Sequence, residues 1–399
     1  MKLVTLEIDT IPLGQPLPFA LRGADGKLLA HKGYVIRNRQ DLGVLLARGI
    51  KLCIDTHESG DSHRAYLAQM QQMLLADASL GQIAAMKLSA AQAIQHNPEG
   101  AAADWAELQM RASQLLRAPG SSDFPQRLLD LHEELERQCQ QTPDSLLLAL
   151  IYLTGRETRM YSATHAMLVA SVCMLVAGET LGWPEAKVAR LGQAALSMNI
   201  AMTALQDDLA QQTDPLTAAQ IDAISDHAEH SEALLRQMGM SDPVWLEAVR
   251  HHHARIPGPL AERSEGLQMA RLIQRADVFG ARIAPRATRQ PLASTAAMQA
   301  SYYDEQRQVD EAGAALVKTL GVYPPGTHVR LATQEVALVL RRGASATTPR
   351  VAVVVNREGM PTGELIPRDT TQAQWKITAA VPGNEVRVHL PLARLLPLV

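Results

Sequence analysis

Apolar and polar positions alternate through the first 56 residues and then change period. The stretch QPLPFALRGADGKLLAHKGYVI alternates around Gly-Ala-Asp-Gly, which predicts a strand, a turn and a second strand. NRQDLGVLLARG takes up a helical spacing and IKLCIDT returns to a strand, so residues 1–60 read as a small β-rich module. Over 61–145 the apolar residues recur every three or four positions, in RAYLAQMQQMLLADASLGQIAAMKLSAAQAIQ and DFPQRLLDLHEELERQC. NPEGAAADW and RAPGSSDFP break this connector into separate helices. The helical period continues through 146–325. After GVYPPGTHVRL the chain alternates again, with β-branched residues in EVALVLRR, RVAVVVNREG and NEVRVHLPL. That pattern predicts a short antiparallel β segment over 326–399. The expected fold is mostly α, a helical bundle with a small β-rich module before it and a β segment after it. No repeat of solenoid period is evident.

Composition narrows the function classes. A chain of 399 residues with 47% hydrophobic and 20% charged residues has enough apolar surface for folded domains. A formal net charge of -3 gives no general attraction to DNA or to anionic lipid. Cys53, Cys139 and Cys173 are odd in number and far apart, which argues against a disulfide framework or a thiolate zinc knuckle. MKLVTLEIDTIPLGQPLP lacks the basic-then-apolar profile of a secretory leader, and DSLLLALIYLTG is interrupted too soon for a membrane span. The expectation is a cytoplasmic protein without a membrane span. The helical stretch 62–145 is long enough to hold a homodimer interface.

The candidate chemistry lies in the histidines. Of 13, six fall between 165 and 253: His165, His227, His230, His251, His252 and His253. His227 and His230 share a face if SDHAEHSEALL is helical. The run VRHHHARIPG is different in kind, because successive helical residues point about 100° apart. At most two of its three imidazoles can therefore converge.

The blocks YSATHAMLVASVCMLVAGETLG, LGQAALSMNIAMTALQDDL, ISDHAEHSEALLRQMG, AVRHHHARIPG and LQMARLIQRADVFGARIAPRATRQPLAS resemble, in order, the helices of an HD-GYP domain. That family belongs to the HD metal-dependent phosphohydrolases, whose studied HD-GYP members hydrolyse the second messenger cyclic di-GMP. The resemblance covers roughly 150–340, and LVKTLGVYPPGTHVRL matches the segment that usually closes such proteins. It implies metal ligands at His165, His227, His252, His253 and Asp277, and phosphate contacts at Arg286 and Arg289. His230 and His251 match no ligand position.

The departures fall at the centre of the motif. Met198 and Asn199 stand where the family has its His-Asp pair, and Met202 where it has a lysine. Ala254 and Pro257 replace a glutamate and an aspartate, and the Gly-Tyr-Pro element is absent from PGPL. The aspartate of the pair bridges two dications about 3.5–4 Å apart and offsets their repulsion. Asn199 is neutral and a thioether such as Met198 is a poor ligand for hard or borderline ions. One metal position thus keeps His165 and Asp277, and the other keeps His227, His252 and His253. Three imidazoles suffice for one divalent ion, zinc, iron or manganese; a second is not expected.

Three readings follow from the resemblance. The first is a divergent HD-GYP protein with impaired catalysis, binding cyclic di-GMP or a signalling protein partner. The second is an active metal-dependent phosphodiesterase with a rebuilt site. The third is a non-catalytic signalling scaffold. No haem, flavin or Gly-rich nucleotide signature marks the N-terminal module.

Overall fold

The structure, a computed structural model, describes residues 105–399 except Glu157 and His389, and short stretches between 3 and 55 before them. The helix predicted over 38–49, residues 25 and 26 of the Gly-Ala-Asp-Gly turn, and the connector up to 104 lie outside the described residues. The chain divides into two units, Met1–Glu107 and Leu108–Val399.

In the first unit, β1 (Leu3–Thr5), β2 (Leu21–Gly23), β3 (Leu28–Ala30) and β4 (Leu52–Asp55) form an antiparallel sheet in the order β1-β4-β2-β3. The pairing of β2 with β3 follows the alternation that the sequence predicts. Leu21, Ala30, Leu52 and Ile54 are buried in it.

Helices follow in the order α1 (Trp105–Arg117), α2 (Phe124–Gln141), α3 (Pro143–Thr154), α4 (Tyr161–Leu175), α5 (Glu185–Ser197) and α6 (Thr203–Gln211). Then come α7 (Ala218–Gln237), α8 (Pro243–His251), α9 (Glu265–Ile283), α10 (Ser294–Tyr302) and α11 (Glu311–Leu320). Every residue of α4 is buried, as befits a mostly apolar helix without a polar face. With the π-turn Val176–Thr180 it makes an apolar stretch of 20 residues, long enough to cross a membrane. By length and composition this stretch resembles a membrane span more than DSLLLALIYLTG does, but α3, α5, α6 and α9 enclose it, and 94% of an 18-residue apolar window in it is buried inside the protein.

The start of α4 is fixed by a buried carboxylate. Asp207 on α6 accepts the Ser162 N–H at 2.8 Å and lies 3.1 Å from the Arg117 guanidinium. An acceptor at the helix start satisfies one of the free N–H groups there. It also sets the height at which the next turn presents its side chains.

The C-terminal sheet has five antiparallel strands, β5 (His328–Leu331), β6 (Val336–Arg341), β7 (Arg350–Val355), β8 (Pro361–Asp369) and β9 (Ile377–Val381), in the order β8-β7-β6-β5-β9. Leu148 and Tyr152 of α3 pack into one face with Leu338, Leu340, Ala352 and Val354. Two predicted strands are present, but NEVRVHLPL is not one. It opens with the 3-10 turn Gly383–Glu385 and continues to the short helix α12 (Leu392–Leu395). Its alternation arises because Val386 and Leu390 enter the same core from an irregular segment, whose Leu390 N–H donates to the Tyr152 hydroxyl at 3.0 Å.

Two histidines away from the clustered set are buried in neutral form. Desolvation pushes His132 on α2 down to about 4, opposed by a backbone hydrogen bond to Ala189. Burial pushes His328 on β5 down to about 3, and the charge of Arg156 adds to it. The unfolded chain binds protons at these residues near pH 6.5, so it takes up more protons than the folded one below that pH. Their contribution to stability is complete above about pH 6.5 and is lost as the pH falls toward 4. The urea midpoint should therefore fall between pH 7 and pH 4.5, and less steeply in a His132→Leu/His328→Phe variant. An unchanged slope in that variant would refute the assignment.

Candidate metal centre

Three imidazoles meet where α7 passes the end of α8. α7 begins with a capping box in which Thr217 Oγ1 accepts the Gln220 N–H and the Gln220 side chain accepts the Thr217 N–H. It carries His227 inward. α8 is capped by Asp242, which accepts the N–H groups of Val244 and Trp245 at 2.9 and 3.1 Å. This helix ends at His251, so His252 and His253 leave it in a turn and both face α7. That solves the problem of three adjacent histidines: His251 stays out, and the other two converge.

The Nε2 atoms of His227 and His252 are 3.1 Å apart, and those of His227 and His253 3.2 Å. The ligand atoms of all three lie within 4.8 Å of one another. Nδ1 of His227 is 2.6 Å from the Ile224 carbonyl, and Nδ1 of His252 is 2.6 Å from the Val249 carbonyl. A carbonyl only accepts, so each Nδ1 carries the proton and each Nε2 a lone pair. Two lone pairs then face each other at 3.1 Å with no proton between them. A cation resolves that repulsion. Nitrogens at about 2.0–2.1 Å from one tetrahedral ion are about 3.3 Å apart, close to the spacing found. The two carbonyls also act as the outer partners that orient ligating histidines. Burial lowers His227 and takes His252 down to about 3, which keeps both in the neutral, ligating form. His253 is exposed and opens the group to solvent.

His165 and Asp277 form a second, separate pair. His165 Nε2 is 2.7 Å from Asp277 Oδ1, across the contact of α4 with α9. Gly280 makes that contact close, since a Cβ there would lie 3.1 Å from His165 Nδ1. Burial by itself would raise the Asp277 carboxyl. The hydrogen bond from His165, with the nearby His253 and His252, holds it below the usual carboxylate range. The pair is thus coupled electrostatically to the three imidazoles without joining their ligand shell.

Met198 is buried, and Asn199 follows it into the 3-10 turn Ile200–Met202. That turn is tied to α7 by the Ala201 N–H donating to Ser231 Oγ at 3.2 Å. On its other side, Ser197 Oγ accepts the Trp245 indole N–H of α8 at 2.9 Å. Asn199 Oδ1 is buried with no hydrogen-bond partner among the described residues. The residues at which the resemblance implies a second ion are a neutral amide, a thioether, and a histidine and carboxylate bonded to each other, a poor donor set for a hard or borderline dication. His230 is exposed, apart from the cluster.

Arg286 and Arg289 lie beyond α9, joined by reciprocal backbone hydrogen bonds of 3.0 Å. Arg286 donates to the Tyr161 hydroxyl at 3.0 Å, and Arg289 to the Ala281 carbonyl. Tyr161 was not singled out from the sequence, although it stands four residues before His165. Its ring stacks on that imidazole at 5.4 Å between centres and 9° between planes.

No protein-family model matches the chain. A solved structure titled Bd1817, a HDG"Y"P protein from Bdellovibrio bacteriovorus, is 16% identical, with a TM-score of 0.42, covering 79% of this chain and 98% of that one. The curated cyclic di-GMP phosphodiesterase PA4108 of Pseudomonas aeruginosa is 26% identical over 229 residues, 56% of this chain. Over those residues the chain is similar to a cyclic di-GMP phosphodiesterase, in keeping with the resemblance of its five ordered blocks to HD-GYP proteins. It spans about half the length of the curated relative, 54%.

Proposed function

We propose that this HD-GYP-like protein acts in cyclic di-GMP signalling, binding the nucleotide at a one-metal site that does not hydrolyse it efficiently. The observation that carries the reading is the pair of facing Nε2 lone pairs of His227 and His252, 3.1 Å apart. Those residues with His253 would hold one divalent ion, zinc, iron or manganese, which would supply a Lewis acid for a phosphate oxygen. Arg286 and Arg289 bind phosphate through charge-assisted hydrogen bonds, which are about twice as strong as neutral ones. His165 holds Asp277 ionised beside the ion, where the carboxylate orients rather than bridges. The site lacks the anionic bridge that two-metal hydrolysis requires.

Calorimetric titration with cyclic di-GMP, followed by product analysis, tests this. Saturable binding without linear product is expected, and Arg286→Gln with Arg289→Gln should weaken it at least about tenfold. No saturable binding by the wild type would overturn it. Exposed His253 leaves a coordination position open, as in zinc hydrolases with three protein ligands. That favours, as the second reading, a rebuilt one-metal hydrolase, which product analysis would reveal.

A further inference from the structure

We propose that Tyr161 is a positioning residue that locks Arg286 to the His165 imidazole, so that an anion on the arginine pair is held in register with the His165–Asp277 pair. The proposal rests on the reading of Arg286 and Arg289 as the anion contacts.

Tyr161 is the first residue of α4 and is 2% exposed. Its spacing of four residues places it on the same helix face as His165, and the two rings stack. The other end of the phenol accepts Arg286 Nη2 at 3.0 Å, and the guanidinium carbon lies 5.2 Å from the ring centre. One side chain thus touches both the imidazole and the guanidinium. Asp207 sets its place by capping the same turn through the Ser162 N–H.

The arginine pair is built for an anion but not closed. Neither guanidinium has a carboxylate partner among the described residues, and both Nε atoms are buried without an acceptor. Burial, with the adjacent positive charge of Arg286, lowers Arg289. Two like charges side by side favour an anion between them and separate without one. The backbone pairing of residues 286 and 289 holds the main chain, whereas the Tyr161 hydroxyl and the Ala281 carbonyl hold the side chains. Each uses one edge of its guanidinium and leaves the remaining donors for the ligand. Without the hydroxyl, Arg286 loses its acceptor and must be reordered when the anion binds.

The test is a double-mutant cycle, with inorganic phosphate titrated calorimetrically into the full chain. Tyr161→Phe removes the hydroxyl and keeps the ring on His165. It should weaken phosphate binding roughly fivefold, the worth of one hydrogen bond. Arg286→Gln should weaken it at least about tenfold, and adding Tyr161→Phe to it should cost nothing more. Zinc stoichiometry should be the same in all four proteins, which a general structural defect would not leave intact. Additive losses, no loss in Tyr161→Phe, or loss of zinc with it would overturn the role of Tyr161 while leaving the arginine reading standing. Failure of the wild type to bind phosphate would overturn both. If Tyr161→Phe does not fold, the Arg286 guanidinium N–H signals of the wild type decide. They should exchange slowly with water and shift on adding phosphate; fast exchange would overturn the proposal.

Discussion

Purified protein supplied with manganese, iron(II) or zinc is expected to leave cyclic di-GMP essentially intact. Two-metal hydrolysis of a phosphodiester needs a carboxylate between the ions, which offsets their repulsion and fixes the attacking hydroxide. Asn199 puts an uncharged amide where the resemblance implies the bridging aspartate, and its Oδ1 is buried without a partner among the described residues. Met198 adds a thioether that ions of this kind bind poorly. The loss should amount to at least ~4 kcal/mol of transition-state stabilisation, about a thousandfold in rate against a two-metal enzyme. Met198→His with Asn199→Asp should bring back a second ion. In the metal-free state the new carboxylate is buried and unpaired, so this variant should be less stable than wild type until metal is added. Its turnover need not return, since Met202, Ala254 and Pro257 still lack the family's lysine and acidic groups. Robust metal-dependent turnover by the unmodified protein, in a timed assay of the linear product, would replace this account with a one-metal hydrolase.

His253→Ala and His252→Ala are each expected to reduce bound metal from one ion per chain to none after dialysis, and His251→Ala to leave it unchanged. The contrast is sharp because the three residues are consecutive. His252 and His253 turn toward His227, and His251 closes the helix beside them. Two remaining imidazoles hold an ion far more weakly than three in a fixed edge-to-edge spacing. Elemental analysis of the dialysed variants reads the result directly. Equal losses from His251→Ala and His253→Ala would mean that the register of the run is different.

Much of this was legible in the sequence, for identifiable reasons. The resemblance of five ordered blocks implied ligands at His165, His227, His252, His253 and Asp277, of which His227, His252 and His253 form one group. His252 and His253 converge because they leave the helix in a turn, which the 100° step of a continuous helix does not foresee. The resemblance already divided these residues into His165 with Asp277 and His227 with His252 and His253, but it did not imply that the first two bond directly to each other. That bond depends on the approach of α4 to α9 at Gly280, a tertiary distance with no local signature. Tyr161 escaped notice because a tyrosine four residues from a histidine has a purely structural use as often as a chemical one. Its contact with Arg286 spans 125 positions. Nor did the sequence predict the fate of NEVRVHLPL. Alternate residues entering a core look like a strand whether or not the backbone pairs, and the partner that fixes Leu390 is a hydroxyl on α3. The fully buried α4 illustrates the same limit, since a central bundle helix and a membrane span share length and composition.

The most direct test of the central claim is X-ray absorption on the wild-type protein reconstituted with zinc, together with its metal-to-protein ratio. The account predicts one ion per chain with three imidazole nitrogens at about 2.0–2.1 Å and no metal–metal scattering. Two ions per chain with a metal–metal vector at about 3.5–4 Å, or no tightly bound ion at all, would contradict it.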